Sequence, residues 1–155
     1  HELMLFEALG NPRLVDDWRQ YGGLQTLASY GLQPALKPDT AEQDELMREL
    51  RRRIPDMHRR FLQSLRTSFT CGDFFFVHAG VRPGVPLEAQ QEQDLCWIRE
   101  EFLQSDANFG KYVVHGHSPV VTADVRPNRI NIDTGAYATD LLSLLSIQSE
   151  HLLVI

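Results

Sequence analysis

Two histidines each follow a short run of apolar, β-prone residues. His78 ends the run 74–78, and His117 comes just after the run 111–115. This pattern predicts that two strands each deliver an imidazole to a sheet edge, where small neighbouring residues keep the backbone out of the way. Neutral imidazole is the commonest metal ligand in proteins. Strand capping would explain either histidine alone, but the pair, with Arg99 between them, predicts a shared metal ion.

Four motifs in a fixed order give the chain a family resemblance. They are His78-Ala79-Gly80, Trp97-Ile98-Arg99, Gly116-His117-Ser118-Pro119 and Asn131-Ile132-Asp133-Thr134-Gly135-Ala136. In this order they resemble the C-terminal half of bacterial PPP-type serine/threonine phosphoprotein phosphatases, which are calcineurin-like metallophosphoesterases related to the phage lambda protein phosphatase. The opening His1-Glu2 is similar to the second half of that family's Gly-Asn-His-Glu motif, so the resemblance spans nearly the whole chain.

The family's first two motifs have no counterpart in this sequence. Gly-Asp-x-His-Gly and Gly-Asp-x-x-Asp-Arg-Gly would precede His1, and Gly72-Asp73 lacks the residues that complete either motif. We therefore expect residues 1–155 to be the C-terminal portion of a single metallophosphoesterase domain and to be inactive as a phosphatase alone. Upstream strands would pair with residues 74–78 and cover their apolar face, so we also expect exposed hydrophobic surface.

The resemblance implies a centre of two divalent metal ions, manganese with iron or zinc as alternatives, that activates a water molecule for in-line attack on phosphorus. His78 and His117 match ligands of the second metal, and every ligand of the first belongs to the upstream motifs. His1 matches the general acid that protonates the leaving oxygen, with Glu2 supporting it. Arg99 matches the arginine that binds the substrate phosphate, because a guanidinium can grip two phosphoryl oxygens at once.

Four further residues are candidates for supporting roles. His115 lies two residues before His117, so both would face one side of an extended strand. The family pattern assigns the ligand to the later histidine, so His115 is expected to support the site or the core. Tyr137 could overhang the substrate. Trp97 is expected in the core, and Asp133 is expected to hold its turn.

The activity implied by the resemblance is hydrolysis of phosphate monoesters, on phosphorylated proteins or on small phosphomonoesters. A symmetrical dinucleoside tetraphosphatase, whose motifs are related, is one alternative. A non-catalytic fragment or interaction module is another. Retention of His78, Arg99 and His117 argues against that second alternative, and the absent upstream motifs argue for it.

Composition narrows the class of protein. The net charge of −6 argues against a nucleic-acid partner, and the basic run Arg51-Arg52-Arg53 is typical of a solvated helix face. No apolar run approaches the ~18 residues of a membrane span. Cys71 and Cys96 match no zinc or redox spacing, so we expect reduced thiols in a cytoplasmic protein. The sequence carries no signal of oligomeric state.

Helical patterns fill the first part of the chain and strand patterns the second. Helices are predicted at 1–9, 15–21, 24–30 and 40–54, the last opened by a Thr40/Gln43 capping box, with an apolar helical stripe following Pro55 to 67. A helix or helical turn is predicted at 94–103, and strands at 74–78, 111–115, 120–125, 129–132, 141–147 and 151–155. The fold class is therefore α+β. The resemblance implies a β-sandwich flanked by helices, with the metal site at the strand ends.

Overall fold

Two compact units make up the chain, His1–Leu65 and Arg66–Ile155. The computed structural model describes residues 1–148 and 151–154, the last four by their backbone alone. Helices build the first unit, and the strands lie in the second. The α+β class predicted from the sequence is therefore confirmed, while the β-sandwich implied by the resemblance stays a prediction. In the part of the chain that the structure describes, no helix is long and apolar enough to cross a membrane.

The helical unit packs its helices around one apolar cluster, which includes Leu5, Trp18, Leu27, Met47 and Leu50. Pro12–Leu14 forms a 3-10 turn, and Arg19–Gly23 a π-helical segment that is interrupted by non-helical backbone. The α-helices are α1 (Glu2–Gly10), α2 (Val15–Trp18), α3 (Leu24–Ser29), α4 (Thr40–Arg53) and α5 (Asp56–Ser64).

The capping box of α4 lies one residue earlier than predicted. Asp39 has extended backbone, its carboxylate accepts a hydrogen bond from the Glu42 N–H at 2.9 Å, and the Glu42 carboxylate accepts one from the Asp39 N–H at 2.8 Å. Thr40 is already helical and cannot serve as the cap. The Gln43 side chain instead donates to Asp16 at 2.9 Å inside the unit.

A five-stranded sheet in the order β1-β2-β3-β5-β4 organises the second unit. The three central strands β2, β3 and β5 run parallel, and the outer strands β1 and β4 are antiparallel to their neighbours. Because parallel strands end at one edge, the segments that follow β2, β3 and β5 emerge side by side. The strands of this sheet are β1 (Ser68–Cys71), β2 (Phe74–Val77), β3 (Tyr112–His115), β4 (Asp124–Val125) and β5 (Arg129–Asn131). A separate two-stranded sheet is formed by β6 (Leu145–Gln148) and β7 (His151–Val154).

Several predicted elements of this unit are shorter than expected. The strand predicted at 120–125 is reduced to β4, the one predicted at 141–147 begins only at Leu145, and Ile155 lies outside the described residues. The helix predicted at 94–103 divides into α6 (Glu92–Trp97) and α7 (Glu100–Leu103), because Ile98 and Arg99 have non-helical backbone. A third short helix, α8, spans Ala136–Thr139.

Strand β2 is paired along both of its edges. It pairs with β1 on one side and β3 on the other. Its side chains are buried or half-buried, so the exposed apolar face expected at residues 74–78 is not found there, although Phe69 and Leu142 elsewhere in the unit are 56% and 88% exposed.

The segment after β2 is shaped by a close contact between Gly80 and Phe102. Phe102 of α7 is fully buried, in a cluster with Phe75, Val81 and Val113. A Cβ atom on Gly80 would lie 2.2 Å from Cδ1 of the Phe102 ring. The glycine that follows His78-Ala79 is therefore required by the packing of a helix that is distant in sequence.

An ion pair attaches helix α6 to the same segment. The Arg82 guanidinium donates to both carboxylate oxygens of Asp94, at 2.8 and 2.6 Å. The Asp94 side chain is 12% exposed, and these hydrogen bonds from Arg82 hold the pKa of its carboxyl below the ordinary value. Since Asp94 precedes Trp97 and Arg99 closely, this pair helps to fix the position of both.

Gly80→Ala should lower the free energy of unfolding by about 1–3 kcal/mol, because the new methyl group overpacks the Phe102 ring. Chemical denaturation measures the loss. Gly116→Ala is the comparison, since its Cβ would lie 3.3 Å from the Asp133 Cβ and needs only a small shift. Equal stability of the two variants would contradict the close-packing argument.

Asp94→Asn should lower the free energy of unfolding at pH 7 by about 1.5–3 kcal/mol, since it weakens two charged hydrogen bonds. The pKa of Asp94 is lowered in the folded chain, so this stabilisation is present above the ordinary aspartate pKa and is lost as the pH falls below about 4. Urea denaturation of the parent and Asp94→Asn at pH 7 and at a pH below about 4 tests whether the difference in stability disappears at the lower pH. Glu101→Gln, at an exposed partner of Arg82, should cost less than about 1 kcal/mol.

Candidate metal centre

The imidazoles of His78 and His117 meet at the carboxyl edge of the parallel strands. Nε2 of His78 lies 2.9 Å from Nδ1 of His117, and the ring centroids are 4.8 Å apart. The backbone brings them together, because the Gly116 N–H donates to the His78 carbonyl at 2.9 Å just beyond the ladder between β2 and β3. The expected convergence of two histidines that are 39 positions apart is confirmed. Their role as metal ligands stays a prediction.

The 2.9 Å separation of the two nitrogens is that of a direct hydrogen bond, and it also falls within the range for two ligands of one divalent ion. Two nitrogens on one metal lie about 2.9–3.4 Å apart when the metal–nitrogen distance is about 2.0–2.1 Å and the ligand angle about 90–110°. Burial, followed by the positive charge of Arg99 and the electrostatic effect of His78, lowers the pKa of His117 to about 4, so its ring is neutral at pH 7. Its Nε2 is buried without a hydrogen-bond partner among the residues that the structure describes.

The two imidazoles supply only part of a ligand set. Within residues 1–148 and 151–154, no group of three or more histidine, cysteine, aspartate or glutamate side chains is placed to hold a metal ion. Divalent transition metals in proteins usually take four or more ligands. Further ligands would therefore have to come from outside these residues or from solvent.

Trp97 and Arg99 flank the pair. The Trp97 ring is half-buried and meets the His117 ring edge-on at 5.7 Å, so the prediction that Trp97 lies in the core is wrong. Arg99 is exposed, and its Nη1 donates to the Ser118 hydroxyl at 3.3 Å. The neighbouring carboxylate of Glu101 pairs with Arg82.

The other sheet-unit candidates take different positions. His115 ends β3 and is 2% exposed, edge-on to the Phe102 ring at 4.9 Å, and burial lowers its pKa to about 4. Asp133 accepts a hydrogen bond from the Gly135 N–H at 2.9 Å, so the prediction that it holds the turn is confirmed. Tyr137 lies in α8 and is 88% exposed. A supporting role for His115 and substrate contact by Tyr137 stay predictions.

His1 and Glu2 belong to the helical unit. The His1 ring is hydrogen-bonded through Nδ1 to the Tyr21 carbonyl at 2.7 Å, and the terminal amino group lies 3.5 Å from the Glu2 carboxylate. Both side chains are more than half exposed. The general-acid role of His1 and the supporting role of Glu2 stay predictions.

A cleft of about 380 Å³ is lined by His78 and His117 together with residues that include Phe76, Val114, Ile132 and Leu142. Its lining is mainly apolar. A group bound in this cleft could therefore contact apolar side chains as well as the imidazoles.

The sequence reasoning gave Asn131 no role, although it belongs to a quoted motif. Asn131 is the last residue of β5, is 2% exposed, and donates from Nδ2 to the Ser118 carbonyl at 2.8 Å. A polar amide at the end of a predicted strand, directly before a turn, is the signal that could have identified it.

Comparison with known proteins assigns no family to this arrangement. No protein-family model matches the chain, and no curated protein matches it. The geometry of the imidazole pair and its neighbours, together with the motif order, is therefore what supports a function.

Proposed function

We propose that this chain contributes to a metallophosphoesterase site that hydrolyses phosphate monoesters, with phosphorylated proteins as the substrate class. The observation that carries the proposal is the 2.9 Å approach of His78 Nε2 to His117 Nδ1, with Arg99 hydrogen-bonded to the residue next to His117. Two neighbouring imidazoles beside a guanidinium combine a metal-binding element with an anion-binding element. Metal-assisted hydrolysis of phosphate esters uses both.

In this proposal, His78 and His117 would hold one divalent ion, with manganese favoured and iron or zinc as alternatives. Such an ion, when bound, lowers the pKa of water and withdraws charge from phosphoryl oxygens. The protein's own contribution is to present His117 in its neutral form, because its lowered pKa leaves the ring unprotonated at pH 7. The second ion of the proposed centre would need ligands other than the side chains that the structure describes.

Arg99 is the proposed phosphate-binding group. Its guanidinium is exposed, carries a fixed positive charge, and is oriented by the Ser118 hydroxyl. Its charge is one of the causes that lower the pKa of His117, which indicates electrostatic contact with the imidazole pair. An anion bound between Arg99 and the pair would be stabilised by both.

His1 is the proposed proton donor to the leaving oxygen, on the strength of its motif. A histidine suits this role because its ordinary pKa leaves both protonation states accessible near pH 7. Neither Cys71 nor Cys96 forms a disulfide bond, which is consistent with a cytoplasmic location.

One observation favours a second candidate, a non-catalytic module. The described residues place two imidazoles together but no third metal-binding side chain with them. Such a module would bind a divalent ion weakly, or not at all, and would release no phosphate. An assay with an aryl phosphate and manganese separates the two candidates in the complete protein that the resemblance implies. Release of nucleoside diphosphates from a dinucleoside tetraphosphate would indicate the related alternative chemistry.

His117→Ala should reduce both the bound manganese and the phosphatase rate of the complete protein, because one of the converging ligands is lost. Elemental analysis of the dialysed protein and an aryl phosphate assay give the two readouts. His58→Ala is the matched control, since His58 bonds Tyr30 within the helical unit. Unchanged metal content in His117→Ala would contradict the ligand assignment.

Arg99→Ala should raise KM for an aryl phosphate and lower kcat by about 100-fold, while the metal content stays unchanged, because a charge-stabilising donor is lost. Arg99→Lys should fall between the parent and Arg99→Ala, since it keeps the charge but not the two-pronged geometry. Arg126→Ala, at an exposed arginine paired with Asp124, serves as the control. Parent-like kinetics in Arg99→Ala would show that the residue does not contact phosphate.

A further inference from the structure

The backbone at His117 adopts a conformation that few residues other than glycine take. His117 has a φ of +66°, and the Ser118 N–H donates to the Gly116 carbonyl at 2.7 Å. A hydrogen bond across three residues about a central residue of positive φ defines a γ-turn, which is strained for a residue with a side chain. Such a turn persists only where surrounding contacts hold it.

Three hydrogen bonds join residues in or just after this turn to β5 and to the segments that follow β2 and β5. On the β2 side, the Gly116 N–H donates to the His78 carbonyl at 2.9 Å. On the β5 side, the Val120 N–H donates to the Asp133 carbonyl at 2.8 Å, and the Asn131 side chain donates to the Ser118 carbonyl at 2.8 Å. Of the three, the bond from Asn131 is the one that uses a side chain, and it acts on the residue directly after His117.

The amide of Asn131 is fixed at both of its polar ends. Its Nδ2 donates to the Ser118 carbonyl, and its Oδ1 accepts from the Asp133 N–H at 3.0 Å. Both partners are backbone groups of fixed polarity, so the reversed amide orientation would lose both bonds. The residue is 2% exposed, so water does not compete for these bonds.

We propose that Asn131 is a positioning residue for His117. By holding the Ser118 carbonyl, it maintains the strained turn that directs Nδ1 of His117 toward Nε2 of His78. Without it, the turn relaxes to an ordinary backbone conformation and the two nitrogens separate. The inference rests on the proposed function in one respect, because its test measures metal binding by His78 and His117.

Asn128, at the other end of β5, provides a matched control. It directly precedes β5, whereas Asn131 ends it, so the two residues lie at opposite ends of the strand. The Asn128 side chain also makes two hydrogen bonds to backbone, to the carbonyls of Ser105 at 2.8 Å and Ala107 at 2.9 Å. Loss of either asparagine removes two buried or half-buried bonds, but only Asn131 is connected to the turn at His117.

The test is the affinity of the 155-residue chain for Zn²⁺ alone, measured at pH 7 by competition with a chromophoric chelator. His78→Ala and His117→Ala define the part of the binding that depends on the pair. Asn131→Ala should weaken that part by about 10- to 100-fold, the usual effect of removing a group that orients a metal ligand. The Zn²⁺ affinity of Asn128→Ala should stay within about twofold of the parent's. This should hold even if its thermal unfolding midpoint falls as much as that of Asn131→Ala.

Each other outcome has a distinct meaning. If His117→Ala weakens Zn²⁺ binding and Asn131→Ala does not, the positioning role is wrong and the proposed function stands. Equal weakening in the two asparagine variants would reduce Asn131 to a general stabilising residue. If both histidine variants bind Zn²⁺ like the parent, the metal site itself is wrong, and the inference fails with it.

A second pair of variants covers the case in which Asn131→Ala does not fold. Asn131→Asp keeps the size of the side chain and the acceptor for the Asp133 N–H, but it removes the donor to Ser118. The added negative charge favours Zn²⁺, so weaker binding would come from the lost bond and not from charge. Asn128→Asp carries the same charge change at the opposite end of β5, and parent-like binding in Asn131→Asp would overturn the inference.

Discussion

The hydrogen-bond ladder between the parallel strands β2 and β3 is the constraint on which the candidate site depends. It sets residues 74–76 beside residues 112–114, and the Gly116 N–H extends the contact to the His78 carbonyl. Because the strands are parallel, the histidines that follow them reach the same edge from a sequence separation of 39. An antiparallel arrangement would place the two strand ends at opposite edges. The chemistry of the pair is therefore a consequence of strand direction.

Close packing beneath the ladder keeps this edge in place. The Phe102 ring fills the space that a side chain on Gly80 would occupy, and His115 meets the same ring edge-on. The ion pair between Arg82 and Asp94 then fixes α6, which carries Trp97 to the His117 ring. The residues that follow each strand are thus held by the core of the sheet unit, and a change in core packing would be expected to move the imidazoles.

Strain and electrostatics are combined at His117. Its positive φ is an uncommon conformation for a residue with a side chain, and such conformations concentrate at functional sites where neighbouring bonds enforce them. Burial and the nearby cationic Arg99 lower its pKa to about 4, which leaves the ring neutral at pH 7. The same ring also makes a 2.9 Å contact with a second imidazole. This combination supports a functional interpretation more strongly than either feature alone.

The sequence by itself determined the fold class, the two strand-end histidines and the turn-holding role of Asp133, because these depend on local apolar runs and on residue types next to one another. It located the α4 capping box one residue late, and it joined α6 and α7 into one helix, since boundaries depend on backbone angles that composition does not specify. The burial of Phe102 against Gly80, the contact of Trp97 with His117 and the bond from Asn131 to Ser118 were decided only by the tertiary structure. Each joins residues from different strands or helices, and strand order and register place them together only after the sheet has formed.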